Sequence, residues 1–154
     1  NKLENLNLTK KIKNLDLSKI IAVGVRLFEE VPKNIQHNIG GVEPVSFYND
    51  SIKLFKKKIV DPKFVIFSED QYNFLDQIDF NTEDVTFINQ KTIEYKTFDK
   101  LLLMSSFKNF IISNSSFYWW AAYLSEIKFE KINIIASKKF YDVKTLPERW
   151  KKNL

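Results

Sequence analysis

Phe110-Ile111-Ile112-Ser113-Asn114-Ser115-Ser116-Phe117-Tyr118-Trp119-Trp120-Ala121-Ala122-Tyr123-Leu124 decides how this chain folds. A short apolar segment, Phe110 to Ile112, stops at four small polar residues, and an aromatic, helix-compatible stretch starts at once. That is the layout of a buried strand, a tight polar turn and a helix start. Ser115 or Ser116 is placed as an N-cap, where a hydroxyl accepts from an orphan amide of the first turn. The remaining free amides and the positive end of the helix dipole suit an anion such as a phosphate. In open α/β sheets ligands bind at the carboxyl ends of the strands, where this turn would sit. The same residues also suit an ordinary capped helix, with Trp119, Trp120, Tyr123 and Leu124 in the core.

The rest of the chain repeats the pattern. Ile20 to Val25, Phe64 to Phe67, Val85 to Ile88, Phe110 to Ile112 and Ile132 to Ala136 are continuous apolar runs, as strands covered on both faces require. Between them lie helical patterns. Pro44 to Lys58 carries Val45, Tyr48, Ile52 and Phe55 at spacings of three or four. Glu69 to Leu75 reads as a short helix capped by Ser68, and Thr97 to Phe107 as another with Leu101 and Leu102 inward. Ser115 to Ser125 follows the decisive turn. Lys2 to Leu15 reads as a helix or a mobile arm. Alternating strands and helices predict a three-layer α/β, Rossmann-like domain with a mostly parallel sheet of about five strands.

Composition narrows the function classes. The 154 residues suggest one domain, long enough to bury a core without staples. With no Cys and a single His37, neither a disulfide framework nor a zinc site is expected. No apolar run approaches the ~20 residues needed to cross a bilayer. The Asn- and Lys-rich start lacks the apolar core of a signal peptide, so a cytoplasmic location is the expectation. The net charge is +5, but of 24 basic residues only Arg26 and Arg149 are arginine. Nucleic-acid readers lean on Arg for bidentate base contacts, so no nucleic-acid partner is expected. The lysine clusters read as solvated faces, while leaving room for peripheral contact with an anionic membrane. Where Lys is the habitual cation, an Arg at a strand end points to the planar fork that grips phosphate.

Asn114 to Leu124 resembles the N-S-S-F-S-W-W-G-A-W-L signature of the α-1,2-fucosyltransferases of glycosyltransferase family 11. Lys63 to Asp70 is similar to that family's F-x-I-F-S-D-D block. Ala22 to Glu30 resembles its V-H-I-R-R-G-D-Y block, and Leu101 to Asn109 its D-L-x-L-M-S-x-C-x-H stretch. The matches run from about Ile20 to about Trp150. The resemblance implies the C-terminal, nucleotide-sugar-binding half of a two-domain GT-B-type enzyme. The whole of 1–154 would then be one donor-binding domain, a fragment or stand-alone relative lacking the N-terminal acceptor domain. The implied reaction is inverting transfer of fucose from GDP-fucose to a hydroxyl of a bacterial surface glycan such as lipopolysaccharide O-antigen, without a metal or other cofactor.

The resemblance also implies roles. Arg26 would contact the diphosphate, with Asn114, Ser115, Ser116 and the amide of Phe117 on its other side. Ser68, Glu69 and Asp70 would lie near the nucleotide, where a carboxylate can accept from guanine or ribose. Glu29 or Glu30 would be the general base for the acceptor hydroxyl. Departures stand beside these matches: Gly24 replaces the pattern's His, Leu27 its second Arg, and Phe28-Glu29 its Gly-Asp. On this reading the isolated domain binds GDP weakly and transfers no sugar alone. The alternatives are a related transferase with another nucleotide-sugar donor, and a nucleotide-binding or interaction module without catalysis.

Overall fold

A computed structural model describes residues 16–27, 42–68, 74–80, 85–88, 96–140 and 143–151. Five strands are described: β1 (Ile20–Gly24), β2 (Lys63–Phe67), β3 (Val85–Ile88), β4 (Asn109–Ile112) and β5 (Asn133–Ala136). All neighbours are parallel, in the order β3-β2-β1-β4-β5. The helices are α1 (Val45–Lys58), α2 (Thr97–Met104), α3 (Ser116–Lys128) and the short α4 (Glu148–Lys151). This is the expected Rossmann-like α/β arrangement, and each predicted strand lies within a residue or so of an observed one. The two strands predicted to share a sheet, β1 and β4, are direct partners, with Ala22 opposite Phe110 and Gly24 opposite Ile112.

Strand alternation sorts the core into two layers. Ile21, Val23, Phe64, Ile66, Ile111 and Ile135 face α1, whose Tyr48, Ile52 and Phe55 cover them. Ile20, Ala22, Val65, Phe67, Phe110, Ile112 and Ile134 face the other way, onto Met104, Phe107, Tyr118, Ala121, Ala122 and Trp150. With helices on both faces the sheet cannot show a polar side, which is why its strands read as unbroken apolar runs. At the amino edge, the buried Asn109 donates to the carbonyls of Ser18 and Ile20, both at 3.0 Å, and accepts from Asn133 at 2.8 Å. These bonds hold the starts of β1, β4 and β5 together.

Three expectations need correction. In α3 the inward face is Tyr118, Ala121, Ala122 and Ser125, at the i, i+3, i+4, i+7 positions. Trp120 falls off that stripe and is 51% exposed. Trp119 and Tyr123 lie partly buried against the core, their rings stacked at 5.1 Å, and Leu124 is half-buried. In α2, which ends at Met104 rather than Phe107, Lys100 and Met104 are the buried pair and Leu102 is exposed. One helical turn separates Lys100 from Met104, and Leu102 lies about 200° around from Lys100. Finally, Leu75–Gln77 is a 3-10 turn; most of the short helix predicted over Glu69 to Leu75, and the arm over Lys2 to Leu15, lie outside the described residues.

The C-terminal segment docks through the buried Leu146 and Trp150. Trp150 is 2% exposed and packs on Trp119, ring centroids 5.6 Å apart. Arg149 beside it grips both carboxylate oxygens of Glu126 on α3. Trp150→Ala is expected to destabilise the chain by about 3–5 kcal/mol in a urea unfolding series, the range for removing a buried Trp. A loss below about 1 kcal/mol would mean that α4 is not integral to the core.

The guanidinium of Arg149 holds the Glu126 carboxyl below its usual range, against burial, which pushes the other way, and with help from Trp150. A folded value below the unfolded one stabilises above the unfolded value and is lost as pH falls through the folded one. Arg149 is 56% exposed, so the contribution should be no more than about 1 kcal/mol. The stability gap between wild type and Glu126→Gln should therefore be present at neutral pH and close as pH falls from about 5 towards 3. A gap that is constant with pH would leave the ion pair no role.

Candidate functional site

The strand order reverses at β1, which has β2 on one side and β4 on the other. The first connection leaves β1 for α1 on one face, and α3 follows β4 on the opposite face. The carboxyl ends of β1 and β4 are therefore the topological switch point, the place where open α/β sheets form their ligand crevice. Hydrogen bonding continues past the strand ends. Val25 donates to Phe67 (3.0 Å), Ser113 to Gly24 (3.1 Å), Ser137 to Ile112 (2.8 Å) and Ser68 to Ile88 (3.4 Å). Arg26, Ser68 and the Ser113-to-Phe117 turn accordingly follow three adjacent strands at one edge of the sheet.

The serine turn is a helix start. Ser115 is the N-cap of α3, with extended backbone at φ −128 and ψ 131, and its carbonyl accepts from Trp119 at 2.9 Å. Its hydroxyl makes no capping bond, contrary to the sequence-based expectation. The Ser115 amide instead turns back to Ser113 O at 2.8 Å. Among the described residues, nothing in the chain accepts from the amides of Ser116 and Phe117. Two free donors and the positive end of a 13-residue helix thus point to the crevice. Asn114 takes a different part. Its side-chain amide donates to Lys139 O at 3.1 Å, bracing the turn against the loop after β5. The rings of Phe117 and Tyr118 meet edge to face at 5.6 Å.

A second polar cluster at this edge escaped the sequence reading. Glu43, two residues before α1, is 5% exposed. Its carboxylate accepts from the Ser137 hydroxyl and lies 3.8 Å from Lys139 Nζ. Ser137 Oγ in turn accepts from the Lys139 amide at 2.9 Å, and Lys139 Nζ donates to Val42 O at 2.9 Å. Tyr48 and Ser113 face each other alongside. Burial pushes the Tyr48 phenol well above its ordinary value; the Ser113 hydroxyl offsets part of that rise and the Glu43 charge adds to it. Among the described residues neither hydroxyl finds a hydrogen-bond partner of ordinary geometry. A lone acid just before Pro44 at a helix start was the one sequence signal for this cluster.

Of the candidate site residues, Glu29, Glu30, Glu69 and Asp70 lie outside the described residues, as does His37. Among the described residues no three His, Asp or Glu side chains converge as ligands of a metal ion would. A cavity of about 550 Å³, lined by residues 75–80 with Val85 and Phe87, lies on the flank of edge strand β3, two strands from the crevice. No helix among the described residues is long and apolar enough to cross a membrane.

Comparison with known proteins agrees with this geometry. The family model described as glycosyl transferase family 11 matches residues 1–152. An O-antigen biosynthesis glycosyltransferase, WbnK of Escherichia coli, is 29% identical over 101 residues, 66% of this chain and 32% of that protein. An alpha-1,2-colitosyltransferase of Escherichia coli is 33% identical over 129 residues, 78% of this chain and 42% of that protein. The chain thus spans well under half the length of these curated relatives. No solved structure matches it. With its model matched over nearly the whole length and its serine turn at the head of α3, this chain belongs to glycosyl transferase family 11.

Proposed function

We propose that the chain binds the nucleotide-sugar donor of a fucosyltransferase-like enzyme, which transfers fucose from GDP-fucose, with inversion, to a hydroxyl of a bacterial surface glycan. The observation that carries this is the α3 N-terminus. Its unclaimed Ser116 and Phe117 amides stand beside the end of β1, two residues before Arg26. A diphosphate leaving group needs charge stabilisation, and fixed amides with one guanidinium supply it without reorganisation. In this reading Arg26 takes the diphosphate from the β1 side and Ser115, Ser116 and Phe117 from the β4 side, while Asn114 holds the turn. Ser68, Glu69 and Asp70 are proposed near the base and ribose. Glu29 or Glu30 is proposed as general base, since an acceptor hydroxyl must lose its proton. The two relatives, named for O-antigen biosynthesis and for alpha-1,2-colitosyl transfer, support the glycan acceptor.

A second reading keeps the site and changes the sugar. The relative named for colitose transfer supports it, as do Gly24 and Leu27 where the family pattern has His and Arg.

Calorimetric titration with GDP tests the donor site, and a panel of GDP-fucose, GDP-mannose and UDP-sugars separates the two readings. GDP should bind, weakly, because one Arg stands where the pattern has two. Arg26→Ala should weaken GDP binding at least tenfold, as for a lost charge-assisted bond of about 1.5–3 kcal/mol. Lys57→Ala, an exposed position in the last turn of α1, should leave it unchanged. Equal affinities for wild type and Arg26→Ala would remove the phosphate role from Arg26.

A further inference from the structure

Gly24 and Tyr118 occupy one space. Gly24 ends β1, and a Cβ built on it would lie 2.5 Å from Tyr118 Cγ and 2.6 and 2.7 Å from the two Cδ atoms. The obstacle is the body of an aromatic ring, not the tip of a flexible chain. The ring cannot swing aside cheaply, because Tyr118 is 7% exposed and its hydroxyl is tied down. That hydroxyl donates to Val25 O and to Phe67 O, both at 2.9 Å, so one proton is shared between two carbonyls.

These carbonyls lie at the carboxyl ends of two adjacent strands, beside the crevice. Phe67 O already accepts from the Val25 amide, and the lone pairs that remain on the two carbonyls would repel an anion placed there. Tyr118 covers them. It is also the third residue of α3, so the same hydroxyl pins the helix's first turn, with its free Ser116 and Phe117 amides, to the strand that leads to Arg26. Against the family pattern quoted above, position 24 is Gly where the pattern has His, and position 118 is Tyr where the pattern has Ser. The two departures touch.

We propose that Tyr118 is a positioning residue for the anion site, its hydroxyl setting the first turn of α3 against the end of β1, and that Gly24 and Tyr118 are one interlocked exchange. The ligand in this inference rests on the donor-binding reading above. The clamp fixes the spacing between Arg26's strand and the helix amides, and a diphosphate spanning them is sensitive to that spacing. Tyr118→Phe keeps the ring over Gly24 and removes only the shared proton.

The test measures GDP and pyrophosphate affinity by calorimetry, well below the melting temperature, together with thermal unfolding. The chains are wild type, Tyr118→Phe, Gly24→His, Tyr118→Ser and the double exchange Gly24→His/Tyr118→Ser, with Lys57→Ala as control. Tyr118→Phe should stay folded and bind both ligands roughly tenfold more weakly. Gly24→His alone should melt far below wild type or fail to fold, and the double exchange should recover most of that loss. If wild type binds GDP and Tyr118→Phe binds it equally well, the positioning role is wrong while the donor reading stands. If wild type binds neither ligand, the donor reading and the positioning role fail together. The interlock is judged separately by melting: a Gly24→His chain as stable as the double exchange overturns it.

Discussion

β1 has a strand on each side and a helical layer on each face, so none of its five residues reaches solvent. That constraint orders the rest of the molecule. A strand so enclosed must be apolar throughout and can offer chemistry only at its ends. Its amino end is closed by Asn109, which accounts for two carbonyls there. The carboxyl end is where the connections part, to α1 on one face and away from α3 on the other. The crevice is thus a consequence of topology, and any residue just past Gly24, Phe67 or Ile112 is delivered to it. Arg26, Ser68 and the serine turn owe their placement to this and not to any local feature of their own.

Opening an edge in a parallel sheet exposes backbone and strands polar side chains, and the chain resolves this with short side chains. Ser68, Ser113, Ser115 and Ser137 each follow a strand end and each is buried. Their amides continue the ladder or close the turn. Glu43 is the exception in size and charge. A buried carboxylate is costly unless it is hydrogen-bonded. Here the Ser137 hydroxyl and the Lys139 ammonium attend it. The same loop receives Asn114 through Lys139 O. One connected set of bonds therefore joins the segment entering α1, the loop after β5 and the serine turn after β4. The facing hydroxyls of Tyr48 and Ser113 are its unfinished part, and each is costly to leave unpaired in the interior.

The strands were legible in the sequence because burial on both faces leaves one solution, a continuous apolar run, and the helical patterns between them imposed parallel pairing. The turn before α3 was legible for the same reason: Ile112 ends a run and Ser115 begins a helix. Finer assignments failed where periodicity was read too coarsely. Trp120 and Leu102 are as apolar as their neighbours, yet the phase of each helix, set by Tyr118–Ala122–Ser125 and by Lys100–Met104, turns them outward. Apolar identity cannot supply that phase when polar residues, Lys100 and Ser125, sit on the buried faces and apolar ones turn outward. Glu43 was missed because its partners, Ser137 and Lys139, lie more than ninety residues away and meet it only through the β4–β5 register. Ser115 was placed correctly as a cap but assigned the wrong bond, because its amide and carbonyl, not its hydroxyl, close the turn.

Although the chain has 24 basic residues, among the described residues it is helix amides rather than lysines that stand unclaimed at this edge of the sheet. Lys139, beside the buried acid, is already engaged with Glu43 and with Val42 O. A flexible ammonium would lose rotamer freedom on gripping a diphosphate, and it is strongly hydrated. Helix amides lose nothing further, because the β4 ladder and the Ser113–Ser115 turn have already fixed them. Strength then depends on where the amides point rather than on how many charges are near. Fixed dipoles fall off steeply with misplacement, so the element that fixes their orientation matters as much as the donors themselves. In this chain that element includes one aromatic ring, seated on a residue with no side chain and hydrogen-bonded across two strand ends. Glycine at position 24 is therefore required by the neighbouring helix. Its own backbone imposes no such demand, since β1 is an ordinary extended strand there.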